Sequence, residues 1–179
     1  MADSKKLVPF ILSWETDRYT NNKKDKGGPT KYGITLATWR RVGYDKNGDG
    51  VLNEEDVKLL TKDDFHRVFK QNYWNACKAD KIRDQSVANM LVDFAYNSGV
   101  SRAVTYLQLT LGITADGIIG NKTLFAINKS NGERLFERFK KTRKDYLKSI
   151  AKEGAQKDFL DGWLRRVSYI TYGHLKLNE

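Results

Sequence analysis

One cysteine, two prolines and two histidines are all that 179 residues hold of these types, and each scarcity removes a class of explanation. Cys77 alone forms no intrachain disulfide and leaves nothing for a cysteine-rich zinc site. It reads as an inert buried thiol, because a nucleophilic cysteine needs a base beside it and neither His66 nor His174 is spaced to serve. No Pro-, Gly- or Ser-rich linker divides the chain, and no segment alternates with strand period for more than a few residues. No apolar run approaches the roughly 20 residues that span a bilayer. Lys5 and Lys6 do precede an apolar stretch, but Glu15 and Asp17 follow it instead of a small-residue cleavage site. The expectation is a chain without signal peptide or membrane span, made in the cytoplasm. Negative charge is also short: 32 Lys and Arg against 22 Asp and Glu give +10 and a pI near 9.6. That balance suits an acidic polymer or surface. It does not point to nucleic acid, since the basic residues are spread along the C-terminal half and no zinc-finger or homeodomain pattern is present.

What is present is helical periodicity. The length suits one core, or a small domain with a lobe attached. Leu7 to Trp14 reads as a short helix buried on most faces, and Leu36 to Gly43 as a second, capped by Thr35. Thr61 caps a helix that runs through Phe65, Val68, Phe69 and Tyr73 to Trp74. Ser86 to Ser98 is the most apolar stretch and the expected central helix; its Asp93, set amid Val87, Met90, Leu91 and Phe94, must find a partner. Arg102 to Leu111, Glu133 to Lys152 and Asp158 to Ile170 complete the set. The fold class is mainly α, with at most a small hairpin around Asp25 to Thr35.

Two stretches carry chemistry. Glu15 leaves the first helix beside aromatic and aliphatic surface, where lost hydration disfavours its charge and raises its pKa toward the range of a general acid. Downstream, a solvated run rich in Asn, Lys and Gly carries Asp17 and Asp25, which stay ionised. Two carboxylates in unlike environments are what glycosidic bond cleavage needs. Farther on, Asp45-Lys46-Asn47-Gly48-Asp49-Gly50-Val51-Leu52-Asn53-Glu54-Glu55-Asp56 matches the calcium loop of an EF-hand: oxygen ligands at positions 1, 3 and 5, Gly at 6, a carbonyl from Val51 at 7 and a carboxylate at 12. Asp56 replaces the usual bidentate Glu, so binding is expected to be weaker. The expected ligands of a structural Ca²⁺ are Asp45, Asn47, Asp49, Val51 and Asp56; catalysis itself calls for no cofactor.

The order Glu15, Tyr19, Asp25, Gly27-Gly28, Thr30, Tyr32-Gly33-Ile34-Thr35 resembles the N-terminal signature of the family 108 glycoside hydrolases. These are N-acetylmuramidases common in phages and prophages and sometimes named secretion activators. Tyr73-Trp74 and Asp93-Phe94-Ala95-Tyr96-Asn97-Ser98-Gly99 resemble later motifs of that family, and Gly162 to Val167 its closing motif. The spacing of Glu15, Asp25 and Thr30 is also similar to the Glu, Asp, Thr triad of phage-type lysozymes. The segment Leu107-Gln108 to Thr123 resembles the Leu-Gln, Asp-Gly, Thr pattern of peptidoglycan-binding helical modules. The resemblance implies a lysozyme-like fold, with a catalytic region over 1–99, the calcium-type loop inserted at 45–56, and a peptidoglycan-binding-like region over 100–179 packed on it. It implies hydrolysis of the β-1,4 bond between N-acetylmuramic acid and N-acetylglucosamine by a monomeric enzyme of the endolysin type acting on peptidoglycan at the cell wall, reached through a holin, lysis or an exporter. Glu15 would be the acid, Asp25 or else Asp17 the base or electrostatic partner, and Thr30 would position a water. Tyr32, Trp74 and Asn97 would touch substrate. The family follows its Glu with Gly-Gly-Tyr, whereas this chain reads Glu15-Thr16-Asp17-Arg18-Tyr19. That departure motivates the alternative of a non-catalytic wall-binding or secretion-assisting protein of the same fold.

Overall fold

The computed structural model describes residues 1–15, 17–21, 28–151 and 158–178. Among them are nine α-helices and two small antiparallel hairpins. The chain is mainly α, as its periodicity implies.

Helix α5, Gln85–Ser98, is the centre. Asp84 caps it by accepting from the Val87 amide, and every side chain from Ser86 to Ala95 is buried. A helix apolar on all sides must be surrounded, and α5 packs against α6, Val100–Leu111, and α8, Gly132–Ile150. Gly99, at φ +91°, makes the sharp junction between α5 and α6 that lets two consecutive helices pack side by side. Asn131 caps α8, whose buried face carries Leu135, Phe136, Phe139, Tyr146 and Leu147, and also Arg143. One apolar cluster runs from Ala2 to Ile170 through both halves of the chain.

The other helices pack around this trio. The first is α1, Val8–Leu12, with Pro9 in its first turn, where a missing N–H costs nothing. Next come α2, Leu36–Val42, capped by Thr35, and α3, Glu54–Lys58, which opens on a capping box of Asn53 and Asp56. Thr61 and Asp64 form a second capping box at the start of α4, Lys62–Phe69. That helix loosens into a π-helical turn at Lys70–Trp74. The set closes with α7, Asn121–Lys129, and α9, Leu160–Ser168.

The first hairpin pairs β1, Thr30–Lys31, with β2, Ile34–Thr35, through a two-residue turn in which Tyr32 and Gly33 both have positive φ, 52° and 72°. This is the turn whose twist matches a tight hairpin. A second hairpin, β3 at Ile170–Thr171 and β4 at His174–Leu175, follows α9 and lies beyond the one hairpin expected. Strands of two residues are too short to show an alternating pattern. No helix among the described residues is long and apolar enough to cross a membrane.

Candidate active site

Glu15 hangs from the end of α1. The Trp14 and Glu15 amides bond back to Ile11 and Leu12 carbonyls three residues earlier, tightening the helix end so that Glu15 emerges beside the first hairpin. Its carboxyl is about one-fifth exposed, at 21%. It opens on a groove of about 640 Å³ walled by Val8, Pro9 and Leu12 of α1, with Asp17, Tyr32 and Lys62 at its polar side.

Behind Glu15 stands a chain of buried charge. Arg166 of α9 approaches the Glu15 carboxylate at 3.7 Å and donates through Nε and Nη2 to one oxygen of Asp93, at 3.0 and 2.8 Å. Arg143 of α8 brings Nη2 to 2.7 Å from the other Asp93 oxygen, an ion pair close in distance but poorly angled for a hydrogen bond. Arg166 lies among the rings of Phe10, Trp14 and Tyr96, each between 5.6 and 5.8 Å away. The Tyr96 hydroxyl hydrogen-bonds to Glu15.

These contacts set the protonation of the site. Burial raises the Glu15 pKa, and the repulsion of Asp93 adds to it; Arg166 and the Tyr96 hydrogen bond pull the other way without cancelling the rise. Burial would also raise Asp93, but Arg166 and Arg143 outweigh it and hold that carboxylate ionised, below its usual range. Arg166 is spent mainly on Asp93, whose bonds to it are the shorter. Glu15 is thereby left able to hold a proton.

The hairpin completes this geometry. A Cβ on Gly33 would fall 2.5 Å from the Tyr96 hydroxyl and 3.0 Å from Glu15 Oε2. Only a glycine there lets the turn close over the pair, and it also meets the positive φ. Tyr32 takes φ 52°, unusual for an aromatic residue, and lines the Glu15 groove.

The site residues named from sequence are distributed unevenly. Tyr32 and Asp17 share the groove with Glu15. Thr30 is half-buried in β1, its backbone bridged to Thr20. Asp25 lies outside the described residues. Trp74 is corrected: it is 1% exposed, in the core, because the π-helical turn carries its ring inward. Tyr73, its neighbour, instead packs edge-on against Tyr96 at 5.1 Å. Asn97 is exposed, donates to the Asp93 backbone carbonyl at 2.6 Å, and lines a different cavity from Glu15.

Arg143, Arg166 and the Tyr96 hydroxyl were given no role from sequence. The signal was there for the arginines. Arg143 stands four residues after Phe139 and three before Tyr146 on the apolar stripe of α8, and Arg166 three after Trp163 on α9. A guanidinium on a core-facing stripe, in a chain with a buried Asp93, calls for pairing.

The calcium-type loop is closed by its own amides. Asp45 accepts from Gly48 and Gly50, Asn47 from Asp49, and Asp49 from Val51. Asp56 is fully buried and gives both oxygens to backbone amides, of Lys46 at 2.7 Å and Asn53 at 2.9 Å. Among the described residues no three His, Cys, Asp or Glu side chains converge as a metal site. Asp56 is also part of the capping box that starts α3. The unit is also closer to the site than its sequence position suggests: Tyr19 donates to Glu54 of α3 at 2.9 Å, and Lys31 to the Lys58 carbonyl at 2.7 Å.

Two family models together mark the chain as a lysozyme-like protein associated with peptidoglycan. The chain belongs to the glycosyl hydrolase 108 family, whose model matches residues 8–99. A second model, described as a predicted peptidoglycan domain, matches residues 102–168. Among solved structures the chain is similar to Brucella abortus SagA, at 35% identity over 93% of this chain and 90% of that one, with a TM-score of 0.73. No curated protein matches.

Proposed function

We propose that the chain hydrolyses the β-1,4 bond between N-acetylmuramic acid and N-acetylglucosamine in peptidoglycan. Glu15 delivers a proton to the leaving glycosidic oxygen. The partner carboxylate is Asp17, which shares the groove, or Asp25, and Thr30 orients the water. The supporting observation is the Glu15 carboxyl itself, raised by burial yet facing open space, with Arg166 committed to Asp93. Its membership in a glycosyl hydrolase family fits the same chemistry. The protein meets its substrate at the wall after release or export from the cytoplasm.

Glu15→Gln keeps the shape and removes the proton. It should lower the release of reducing ends from purified sacculi by at least ~100-fold, the usual scale for a general acid, while the circular dichroism spectrum stays unchanged. Undiminished release would overturn the assignment. The absence of two glycines after Glu15 favours a second reading, a wall-binding protein without cleavage. In that case the unmutated protein co-sediments with sacculi and liberates no reducing ends.

A further inference from the structure

A second cavity, of about 240 Å³, shares no lining residue with the Glu15 groove and adjoins the site through Arg166 and Arg143, the two partners of Asp93. Three arginines line it: Arg102, Arg143 and Arg166. Two of these are buried, Arg143 at 2% exposure and Arg166 at 8%, and both lean on the single carboxylate of Asp93. Two guanidiniums share the Asp93 carboxylate, and the other carboxyl near them, Glu15, stands farther off, 3.7 Å from Arg166; with Glu15 protonated, as proposed, a positive excess is left inside the protein, where buried charge is costly unless paired. The hydrogen-bonding tally says the same. Arg143 keeps its Nε without a partner, and its Nη1 meets only the Met90 sulfur at 3.5 Å, a weak acceptor. At the rim, exposed Arg102 makes one long bond, 3.4 Å, to the Ser98 carbonyl and lies over the Tyr146 ring. The remaining wall is polar on one side, from Asn97 and Ser98, and apolar on the other, from Tyr146, Leu147, Ile150 and Trp163.

We infer that this cavity binds a carboxylate carried on a short aliphatic group, and that the group is the C-terminal carboxylate of a short peptide such as the stems of peptidoglycan bear. A carboxylate meets the planar donors of guanidinium in matched geometry, and the Leu147, Ile150 and Trp163 wall rewards a methyl-sized substituent that inorganic phosphate lacks. The peptidoglycan association of the family suggests the peptide as the source. The chemistry of the cavity does not depend on glycan cleavage.

The test uses the full-length protein and probes with no glycosidic bond, so its outcome is separate from that of the hydrolysis experiment. N-acetyl-D-alanyl-D-alanine as the free acid, its C-terminal amide, N-acetylmuramic acid and inorganic phosphate are each titrated while the Trp163 indole resonance is followed by NMR. The free acid should shift that resonance saturably, the amide should not, and Arg102→Gln should weaken the free acid about tenfold, the scale of one charged hydrogen bond. Arg102 is on the surface, so the variant keeps its fold, which the unchanged dispersion of the spectrum checks. Equal shifts from acid and amide, no saturable shift from the free acid, or full affinity in Arg102→Gln would overturn the inference. A response to N-acetylmuramic acid alone would overturn the peptide source and leave a sugar carboxylate; a response to phosphate alone would overturn both.

Discussion

Tyr96 donates to Glu15 from below while Gly33 closes over the pair. Its hydrogen bond favours the charged carboxylate and so lowers the Glu15 pKa, although burial still wins. In Tyr96→Phe that opposing contact is gone and the pKa rises further. The proposed working form of Glu15 is protonated, so the rate falls as pH climbs through its pKa. The alkaline limb of the pH–rate profile should therefore move to higher pH in Tyr96→Phe than in the unmutated protein. A limb that stays put, or moves down, would show that Tyr96 does not tune Glu15. Cys77, by contrast, is pushed up to about 12 by burial, in keeping with an inert thiol.

At the scale of elements, two units deserve separate tests. Gln108 of α6 is a hub: its Nε2 lies within hydrogen-bonding distance of Asp116, the Ile118 carbonyl and Thr123, and its Oε1 accepts from Gly117 at 2.9 Å. The Leu-Gln, Asp-Gly, Thr pattern thus records how the turn into α7 is built. Gln108→Ala strands the buried Gly117 amide and should cost about 1–3 kcal/mol in denaturant unfolding. Cleavage per folded molecule should be unchanged; a selective loss of activity would give the motif a role at the substrate. For the loop at 45–56 we propose Ca²⁺ as a structural ligand of Asp45, Asn47, Asp49, the Val51 carbonyl and Asp56. Each carboxylate oxygen that accepts an amide keeps a second lone pair, which is what a cation would use. Millimolar calcium should then raise the melting temperature by mass action, with Asp49→Ala abolishing the rise and magnesium substituting poorly. Superimposable melting curves in calcium and in chelator would make the loop a turn closed by its own amides.

For the whole molecule, the +10 charge is the property with the longest reach. Basic side chains stand on the outer face of α8, among them Arg134, Arg138, Lys141 and Lys148, and the buried stripe faces the core. Attraction between this surface and an anionic wall is screened by salt, within about 8 Å at physiological ionic strength. Co-sedimentation of Glu15→Gln with sacculi should consequently weaken steadily as salt rises. Binding indifferent to salt would place recognition in the grooves and not in the overall charge.

Much of this protein was legible in its residues because the signals are local. Apolar spacing marked the helices, Thr35 and Thr61 sat where caps form, and Glu15 at the end of an apolar helix announced a carboxyl in a desolvated place. What local pattern could not decide is which distant groups meet. Arg166 and Asp93 are 73 residues apart and Arg143 reaches the same carboxylate from another helix, so their pairing follows from how α5, α8 and α9 pack. Trp74 shows the same limit from the other side. Its motif suggested a cleft, but one π-helical turn rotated the ring into the core. Asp56 fits position 12 of a calcium loop in sequence; that its oxygens also accept the Lys46 and Asn53 amides is seen only in the folded chain. Residue type and spacing determined the helices and the place of the Glu15 carboxyl; tertiary packing decided the charges around it, because electrostatic partners are chosen by distance in space.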